Sequence, residues 1–191
     1  MQKFGGTSVA DENGRRRLAA KVRRALEAGW QPVLVISAMG RRPQPYATDT
    51  LLSLVEPWRE WQDTRELDML MACGEILSCV VTSHHLRSLG LPARAFSGAE
   101  AGLRTEGPFG EARVAAVIPG PLRECLASGG IPVVAGFQGA CSESGVATMG
   151  RGGSDTTAVA LGAGLGAEAV EIHTDVEGVM TADPRLVPEA R

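Results

Sequence analysis

Short runs of aliphatic and β-branched residues alternate along the chain with longer segments in which apolar residues recur every three or four positions. The short runs at residues 32–37, 131–136 and 169–174 are bounded by Gly or Pro and predict buried strands. Helical spacing predicts helices over residues 11–28 and 67–89. Strands that alternate with helices are typical of an α/β fold, in which helices cover both faces of a mostly parallel sheet.

Two segments interrupt this alternation, at residues 98–120 and 137–149. Both are rich in Gly, Ser, Thr and Pro and contain only short apolar stretches, so we expect hairpins or excursions over a site. A chain of 191 residues that is 44% hydrophobic is long enough to form one sizeable core. We therefore expect a single domain over residues 1–191.

Two glycine-rich segments predict binding sites for anions. Gly150-Arg151-Gly152-Gly153-Ser154-Asp155-Thr156-Thr157 leads into an alanine-rich stretch and predicts a loop that feeds a helix, with Ser154 or Asp155 as the N-cap. The unpaired N–H groups and the dipole of such a helix end suit a phosphate or a carboxylate. Lys3-Phe4-Gly5-Gly6-Thr7-Ser8 forms a second glycine loop at the other end of the chain. Two such loops in one small domain indicate a bound polyphosphate.

The chemistry of these loops points to phosphoryl transfer without naming a nucleotide family. Neither loop matches the G-x-x-x-x-G-K-[ST] or the G-x-G-x-x-G pattern. Lys3 directly precedes the two glycines, where its ammonium can reach the phosphates as the point charge that phosphoryl transfer needs. Ligands of parallel sheets bind at the carboxyl ends of the strands, where both loops, residues 37–40 and residues 174–178 are predicted to lie.

Composition narrows the classes of partner. The net charge of −3 provides no basic field for nucleic acid. The four cysteines include no C-x-x-C pair and have no histidine at metal-site spacing, so free thiols in a reducing compartment are expected. No run of about 18 apolar residues appears, and the first residues lack the pattern of a signal peptide. We expect a soluble, cytoplasmic protein with neither a nucleic-acid nor a membrane partner.

Six segments in order along nearly the whole chain carry a resemblance to the catalytic domain of the aspartokinases. They are Lys3-Phe4-Gly5-Gly6-Thr7-Ser8, Val35-Ile36-Ser37-Ala38-Met39-Gly40, Glu66-Leu67-Asp68-Met69-Leu70 with Gly74-Glu75, Val134-Ala135-Gly136-Phe137-Gln138-Gly139, residues 150–157 and residues 174–185. The resemblance implies the amino-acid kinase fold, a three-layer αβα sandwich. It also implies the phosphorylation of L-aspartate by Mg-ATP to 4-phospho-L-aspartate, the first step of the aspartate-family amino-acid pathway.

The resemblance assigns roles to particular residues. It implies that Lys3 stabilises charge on the transferring phosphoryl group and that Asp155 organises Lys3 and the metal-phosphate end. The implied phosphate-binding positions are Gly5, Gly6, Thr7, Ser8, Gly152 and Gly153. The implied substrate-binding positions are Ser37, Thr48, Glu75, Arg151 and Ser154. The implied nucleotide-binding positions are Thr174, Asp175, Asp183 and Arg185.

Glu75 also stands out on physical grounds, because a carboxylate within an apolar helical stretch requires a partner. The resemblance pairs Glu75 with the α-ammonium of the substrate, and Arg151 with a carboxylate through a bidentate fork. The β-carboxylate of aspartate is ionised at neutral pH, so its direct in-line attack on the γ-phosphorus needs no strong general base. ATP and Mg²⁺ are the implied cofactors, with the metal held mainly by the ATP phosphates and no direct protein ligand assigned.

The resemblance also sets expectations about the extent of the protein. Aspartokinases usually continue beyond the segment that resembles residues 182–191, with more kinase domain and a pair of ACT regulatory domains. We therefore expect a domain that is incomplete at its C-terminal end, no ACT domain in residues 1–191, and a homo-oligomer or a partner aspartokinase chain.

Two alternative functions stay open. In one, the chain is a non-catalytic, nucleotide-binding fragment or subunit of an aspartokinase. In the other, it is an amino-acid kinase for another substrate, such as glutamate, acetylglutamate or a nucleoside monophosphate. The motif of residues 3–8 together with Gly74-Glu75 favours aspartate over these substrates.

Overall fold

A computed structural model of the chain describes residues 1–141, 145–174, 181, 187 and 189. The described strands are β1 Gln2–Phe4, β2 Leu34–Ile36, β3 Ala93–Phe96, β4 Leu103–Glu106, β5 Arg113–Val117, β6 Ile131–Ala135, β7 Gln138–Cys141, β8 Gly145–Thr148 and β9 Glu171–His173. The described helices are α1 Gly6–Val9, α2 Glu12–Glu27, α3 Thr48–Ser53, α4 Thr64–Ser88, α5 Gly120–Ala127 and α6 Gly153–Leu165, with a short 3-10 helix over Glu56–Trp61.

Five of the strands form a central sheet in the order β3-β6-β2-β1-β9, and every neighbouring pair is parallel. Successive strand residues point to opposite faces of a sheet, and β2 follows this rule. Leu34 and Ile36 belong to the apolar core on one face, whereas Val33 and Val35 belong to the core on the other. The inner strands β2 and β6 are buried on both sides, as is typical of a parallel sheet covered by helices, and the predicted parallel sheet is confirmed.

Helices cover both faces of this sheet and complete three layers. Leu18 of α2 and Leu86 of α4 pack in the core on one face. Leu122 of α5 and Leu161 of α6 pack in the core on the other face. The αβα sandwich implied by the resemblance is therefore confirmed.

The two segments that interrupt the predicted alternation form hairpins, as expected. β4 and β5 pair antiparallel, and so do β7 and β8. The sequence did not predict that the hairpins join, through the parallel pair of β4 and β7, into a second sheet of order β5-β4-β7-β8.

The element boundaries follow local chemistry. The helix predicted over residues 11–28 is confirmed as α2, and it begins where the Asp11 carboxylate accepts a hydrogen bond from the Gly14 N–H (2.6 Å). α4 begins three residues before the predicted position, because Asp63 caps it through the Arg65 N–H (2.7 Å). The prediction of a buried strand at residues 169–174 is wrong on burial: β9 lies at the edge of the described sheet, and Ile172 is 45% exposed.

Candidate active site

A cleft of about 420 Å³ opens where β1, β2 and β9 end. The carboxyl ends of these parallel strands lie at one edge of the sheet, which is where a ligand site is expected. Of the residues predicted to form a site, those that line the cleft are Lys3, Gly5, Gly6, Thr7, Ser37, Thr48, Glu75 and Thr174. The structure thus gathers residues from both ends of the chain into one cavity.

The main charged contact at the cleft joins its first strand to α6. Lys3 lies in the middle of β1, and its Nζ is 2.8 Å from Oδ1 of Asp155 in the first turn of α6. The Lys3 side chain is only 11% exposed, whereas that of Asp155 is 42% exposed. The carboxylate therefore orients the lysine, whose ammonium faces the cleft as a fixed positive charge.

The glycine loop after β1 is tighter than predicted, because helix α1 starts already at Gly6. A side chain at Gly6 would collide with the carbonyl oxygen of Ala38. The Gly5 N–H donates to His173 O (3.4 Å), and the Ser8 N–H donates to Gly5 O (3.0 Å). These two amides therefore hold the loop in place, and Ser8 does not line the cleft.

The prediction that Ser154 or Asp155 caps α6 is wrong. The helix begins at Gly153, its N-cap position is Gly152 with φ 81°, and no side chain caps it. A side chain is rarely stable at that positive φ, which explains the glycine. Asp155 lies within the first turn and pairs with Lys3 instead, whereas a Cβ at Gly136 would lie 2.9 Å from Ser154 Oγ. Ser154 therefore lies against the end of β6.

The remaining predicted residues of this loop lie beside the cleft. The Gly153 N–H donates to Gly150 O (2.9 Å), so this amide closes the turn. Arg151 is exposed in that turn and is not among the residues that line the cleft. Phe137, with the unusual φ of 68°, supports the turn: its N–H donates to Thr157 Oγ1 (3.0 Å), and its ring lies against Gly153.

Glu75 is the buried acid of the cleft. It extends from α4, is 5% exposed, and accepts a hydrogen bond from the Ala38 N–H at 3.3 Å. Its second oxygen, Oε2, has no hydrogen-bond partner within the described residues. Burial raises the pKa of the Glu75 carboxyl from 4.5 to about 7, and the backbone N–H groups of Ala38 and Glu75 oppose this only in part. A cation in the cleft would satisfy both the charge and the unpaired oxygen.

Replacing Glu75 with glutamine is expected to raise the melting temperature at pH 8. The native pKa lies above the unfolded value, so stability is lost as the pH rises from 4.5 to about 7 and the buried carboxyl must ionise. The native state then carries a penalty of about 3 kcal/mol, which the neutral amide avoids. Thermal melts of both proteins at pH 5 and pH 8 measure this. An equal difference at both pH values contradicts the raised pKa.

Asp68 is a buried carboxylate for which the sequence predicted no role. It is 1% exposed and accepts hydrogen bonds from Thr148 Oγ1 (2.7 Å), the Thr148 N–H (2.7 Å) and the Gly110 N–H (2.9 Å). Thr148 ends β8, only three positions before Arg151. Asp68 therefore ties α4 to the strand that leads into the loop of Arg151.

Replacing Asp68 with asparagine should destabilise the fold by roughly 2–4 kcal/mol, because the new NH₂ group faces N–H or O–H donors instead of accepting from them. Asp63→Asn on the same helix is the matched control, since asparagine caps a helix as well as aspartate does. Urea unfolding of both variants provides the measurement. Equal losses of unfolding free energy in the two variants would show that the hydrogen bonds of Asp68 do not stabilise the fold.

Sequence reasoning also missed two charged residues that line the cleft, Arg41 and Asp49. Both lie in the stretch between β2 and α4, where periodicity carries little information. The signal that was available for Arg41 is its position soon after β2, at the carboxyl edge of the sheet, and for Asp49 its position next to Thr48, a predicted substrate-binding residue. Of the predicted nucleotide-binding residues, Thr174 lines the cleft, whereas Asp175, Asp183 and Arg185 lie outside the described residues.

Comparison with known proteins gives the same family from the sequence and from the fold. The profile of the amino acid kinase family matches residues 2–191. Aspartokinase 1 of Bacillus subtilis is 47% identical over 191 residues, which are 100% of this chain and 47% of that protein. The aspartokinase of Mycolicibacterium smegmatis is 47% identical over 192 residues, with coverage of 100% and 44%.

Solved structures give the same result. Aspartate kinase from Synechocystis matches with a TM-score of 0.78 and 42% identity, over 100% of this chain and 30% of that one. E. coli aspartokinase III in complex with aspartate and ADP matches with a TM-score of 0.80 and 28% identity, over 100% and 52%. The resemblance seen in the sequence is therefore confirmed. The chain spans about half the length of the curated relatives it matches.

Proposed function

The chain belongs to the amino acid kinase family, and from that membership we propose that it transfers the γ-phosphoryl group of ATP to the β-carboxylate of L-aspartate. The product is 4-phospho-L-aspartate, which begins the aspartate-family amino-acid pathway in the cytoplasm. The composition of the cleft supports the proposal. The cleft combines the Lys3–Asp155 ion pair with a buried acid, Glu75, and a cation beside a buried carboxylate stabilises its ionised form.

Phosphoryl transfer in this cleft relies on positioning and on charge. The β-carboxylate attacks the γ-phosphorus in line; the new O–P bond forms as the bond to the β,γ-bridging oxygen of ATP breaks, and ADP leaves with that electron pair. Lys3, held by Asp155, stabilises the charge of the transferring group. Gly6 allows the loop after β1 to approach the phosphates closely, because no side chain intervenes. No proton has to be removed from the nucleophile.

The chain selects its amino acid by binding two groups of aspartate, the α-ammonium and a carboxylate. The ionised Glu75 binds the α-ammonium through the oxygen that has no partner in the described residues. Arg151 takes a carboxylate in a bidentate fork, and Ser37, Thr48 and Ser154 add hydrogen bonds. Nucleotide binding is assigned in this proposal to Thr174, which follows β9 and lines the cleft, and to Asp175, Asp183 and Arg185 of the segment that resembles the aspartokinases.

The residues present fit a magnesium ion that is held mainly through phosphate oxygens. The described part of the chain contains no cluster of three acidic, His or Cys side chains that would cage a metal by itself. Mg²⁺ typically binds one or two carboxylates together with substrate phosphates, and the partly exposed Asp155 would supply one carboxylate. A magnesium ion held there would neutralise phosphate charge.

Isothermal titration with a panel of amino acids tests this proposal. L-Aspartate is expected to bind saturably in the presence of Mg-ADP, whereas L-glutamate and N-acetylglutamate are not. Glu75→Gln should lose aspartate binding and keep nucleotide binding. Preferred binding of another amino acid would identify a different kinase of the family. Nucleotide binding without any amino-acid binding would identify the non-catalytic alternative.

A further inference from the structure

The buried carboxylate of Asp68 joins three parts of the chain that are distant in sequence. Its Oδ1 accepts a hydrogen bond from Thr148 Oγ1, and its Oδ2 accepts from the N–H groups of Thr148 and Gly110. Asp68 is 1% exposed, so these bonds are shielded from water. A carboxylate at this depth needs its donors, and it therefore fixes their positions relative to α4.

The donors of Asp68 adjoin the turn that carries Arg151. Thr148 is the last residue of β8, and Arg151 follows three positions later. Gly110 lies against the same turn, because its carbonyl oxygen would be 3.7 Å from a Cβ at Gly150. Asp68 thus anchors both the strand that enters the turn and the loop that packs against it.

Helix α4 links this network to the cleft. Asp68 and Glu75 are seven residues apart, so they lie on the same helix face, ~10 Å apart along the axis at 1.5 Å per residue. Between them, the Ala72 carbonyl oxygen accepts a hydrogen bond from Nε2 of Gln138 (3.1 Å), a residue of β7 that is 1% exposed. One face of α4 therefore carries the acid of the cleft and, within two turns of it, two ties to the second sheet.

We propose that Asp68 is a positioning residue that holds Arg151 in register with Glu75, so that both bind one molecule of the amino-acid substrate. This inference rests on the proposed function, in which Glu75 takes the α-ammonium and Arg151 takes a carboxylate. The two groups belong to one small molecule, and an arginine fork on a loosely held turn would bind it less well. Asp68 does not line the cleft, so it acts through the turn.

The first turns of α6, on the nucleotide side of the same loop, are held by other contacts. Asp155 pairs with Lys3 (2.8 Å), and Thr157 Oγ1 accepts a hydrogen bond from the Phe137 N–H (3.0 Å). Loss of the Asp68 network is therefore expected to weaken the binding of aspartate and to leave the affinity for Mg-ADP unchanged.

Isothermal titration of the 191-residue chain with L-aspartate, in the presence of Mg-ADP, tests the proposal. Asp68→Asn should weaken aspartate binding about 10- to 100-fold, because the new NH₂ group faces donors and displaces the turn. Thr148→Val keeps both N–H bonds and removes only the hydroxyl donor, so a smaller loss is expected, and it replaces Asp68→Asn if that variant does not fold. Asp63→Asn, at the N-cap of the same helix, is the matched control and should bind as the wild type does. Circular dichroism melts check that each variant is folded at the temperature of titration.

A double-mutant cycle separates positioning from a general loss of stability. Arg151→Ala removes the fork, and without the fork Asp68 has nothing to position. Adding Asp68→Asn to Arg151→Ala should therefore change aspartate affinity by no more than about twofold. Losses that multiply in the double variant would show that the two residues act independently and would contradict the proposal.

Limited proteolysis tests the position of the turn without a substrate. Trypsin cleaves after Arg and Lys, and Arg151 is exposed in the turn. Asp68→Asn should speed cleavage after Arg151 at least about tenfold relative to cleavage after Lys21, which lies within α2 and reports global unfolding. An unchanged ratio of the two cleavage rates would show that Asp68 does not hold the turn.

The outcomes distinguish this inference from the proposed function. A folded Asp68→Asn protein that binds aspartate within about twofold of the wild type overturns the inference and leaves the kinase proposal standing. A wild-type chain that binds no amino acid overturns the proposed function. Selective cleavage after Arg151 in Asp68→Asn would in that case still support the anchoring of the turn by Asp68.

Discussion

Replacing Lys3 with alanine should reduce turnover at least about a hundredfold, because it removes the cation that stabilises the transferring phosphoryl group. The fold should survive the change. Lys3 pairs with an Asp155 side chain that is 42% exposed, so the loss of this ion pair is expected to change stability by no more than about 1 kcal/mol. Steady-state kinetics and a thermal melt of the same preparation measure the two effects.

Lys21→Ala is the matched control for this experiment. Lys21 is exposed on α2 and does not line the cleft, so its removal should leave turnover unchanged. Lys3→Arg keeps the positive charge but changes the position of the donors, and intermediate turnover is expected. Near-normal turnover of Lys3→Ala would remove this residue from the mechanism.

The second large effect concerns pH. The value of kcat/KM for aspartate should fall about tenfold for each pH unit below about 7, because protonated Glu75 cannot pair with the α-ammonium of the substrate. Burial raises the pKa of this carboxyl to about 7 in the free protein, and kcat/KM reports the groups of the free protein. Above that pH the profile should be level until another group titrates.

Glu75→Gln separates this explanation from other titrating groups. The variant should lose roughly 1.5–3 kcal/mol of aspartate binding, or about 10- to 150-fold in kcat/KM at pH 8, as expected for a hydrogen bond to a charged group. Its profile between pH 6 and pH 8 should be flat. A variant that keeps the wild-type pH dependence would show that a group other than Glu75 titrates.

The sequence predicted the central fold because its signal is local. Runs of β-branched residues and helical periodicity predicted β2, β6, α2 and α4, and the predicted ends lie within three residues of the observed ends. β3 was not predicted, because its four residues, Ala93–Phe96, include an exposed arginine, and pairing with β6 stabilises the strand. The joining of the two hairpins through β4 and β7 depends on residues distant in sequence, which leave no periodic signal.

The site was predicted in part for the same reason. Residues that follow β1, β2 and β9 meet because parallel strands end at one edge of the sheet, which strand order alone indicates. The error about the cap of α6 arose because Asp155 contacts Lys3, at the other end of the chain, and not its own backbone. Asp68 escaped assignment because its partners are distant in sequence: Gly110 lies in the turn between β4 and β5 and Thr148 ends β8, and only the fold brings them to α4.

Trapping of the acyl phosphate product tests the central claim most directly. Purified chain, Mg-ATP and L-aspartate are incubated with hydroxylamine, and aspartyl hydroxamate is measured beside matched reactions with L-glutamate and N-acetylglutamate. Hydroxamate is expected with L-aspartate and little with the other two acceptors; Lys3→Ala should lose the product and Lys21→Ala should keep it. Saturating ATP binding without hydroxamate from any acceptor would contradict phosphoryl transfer by this chain.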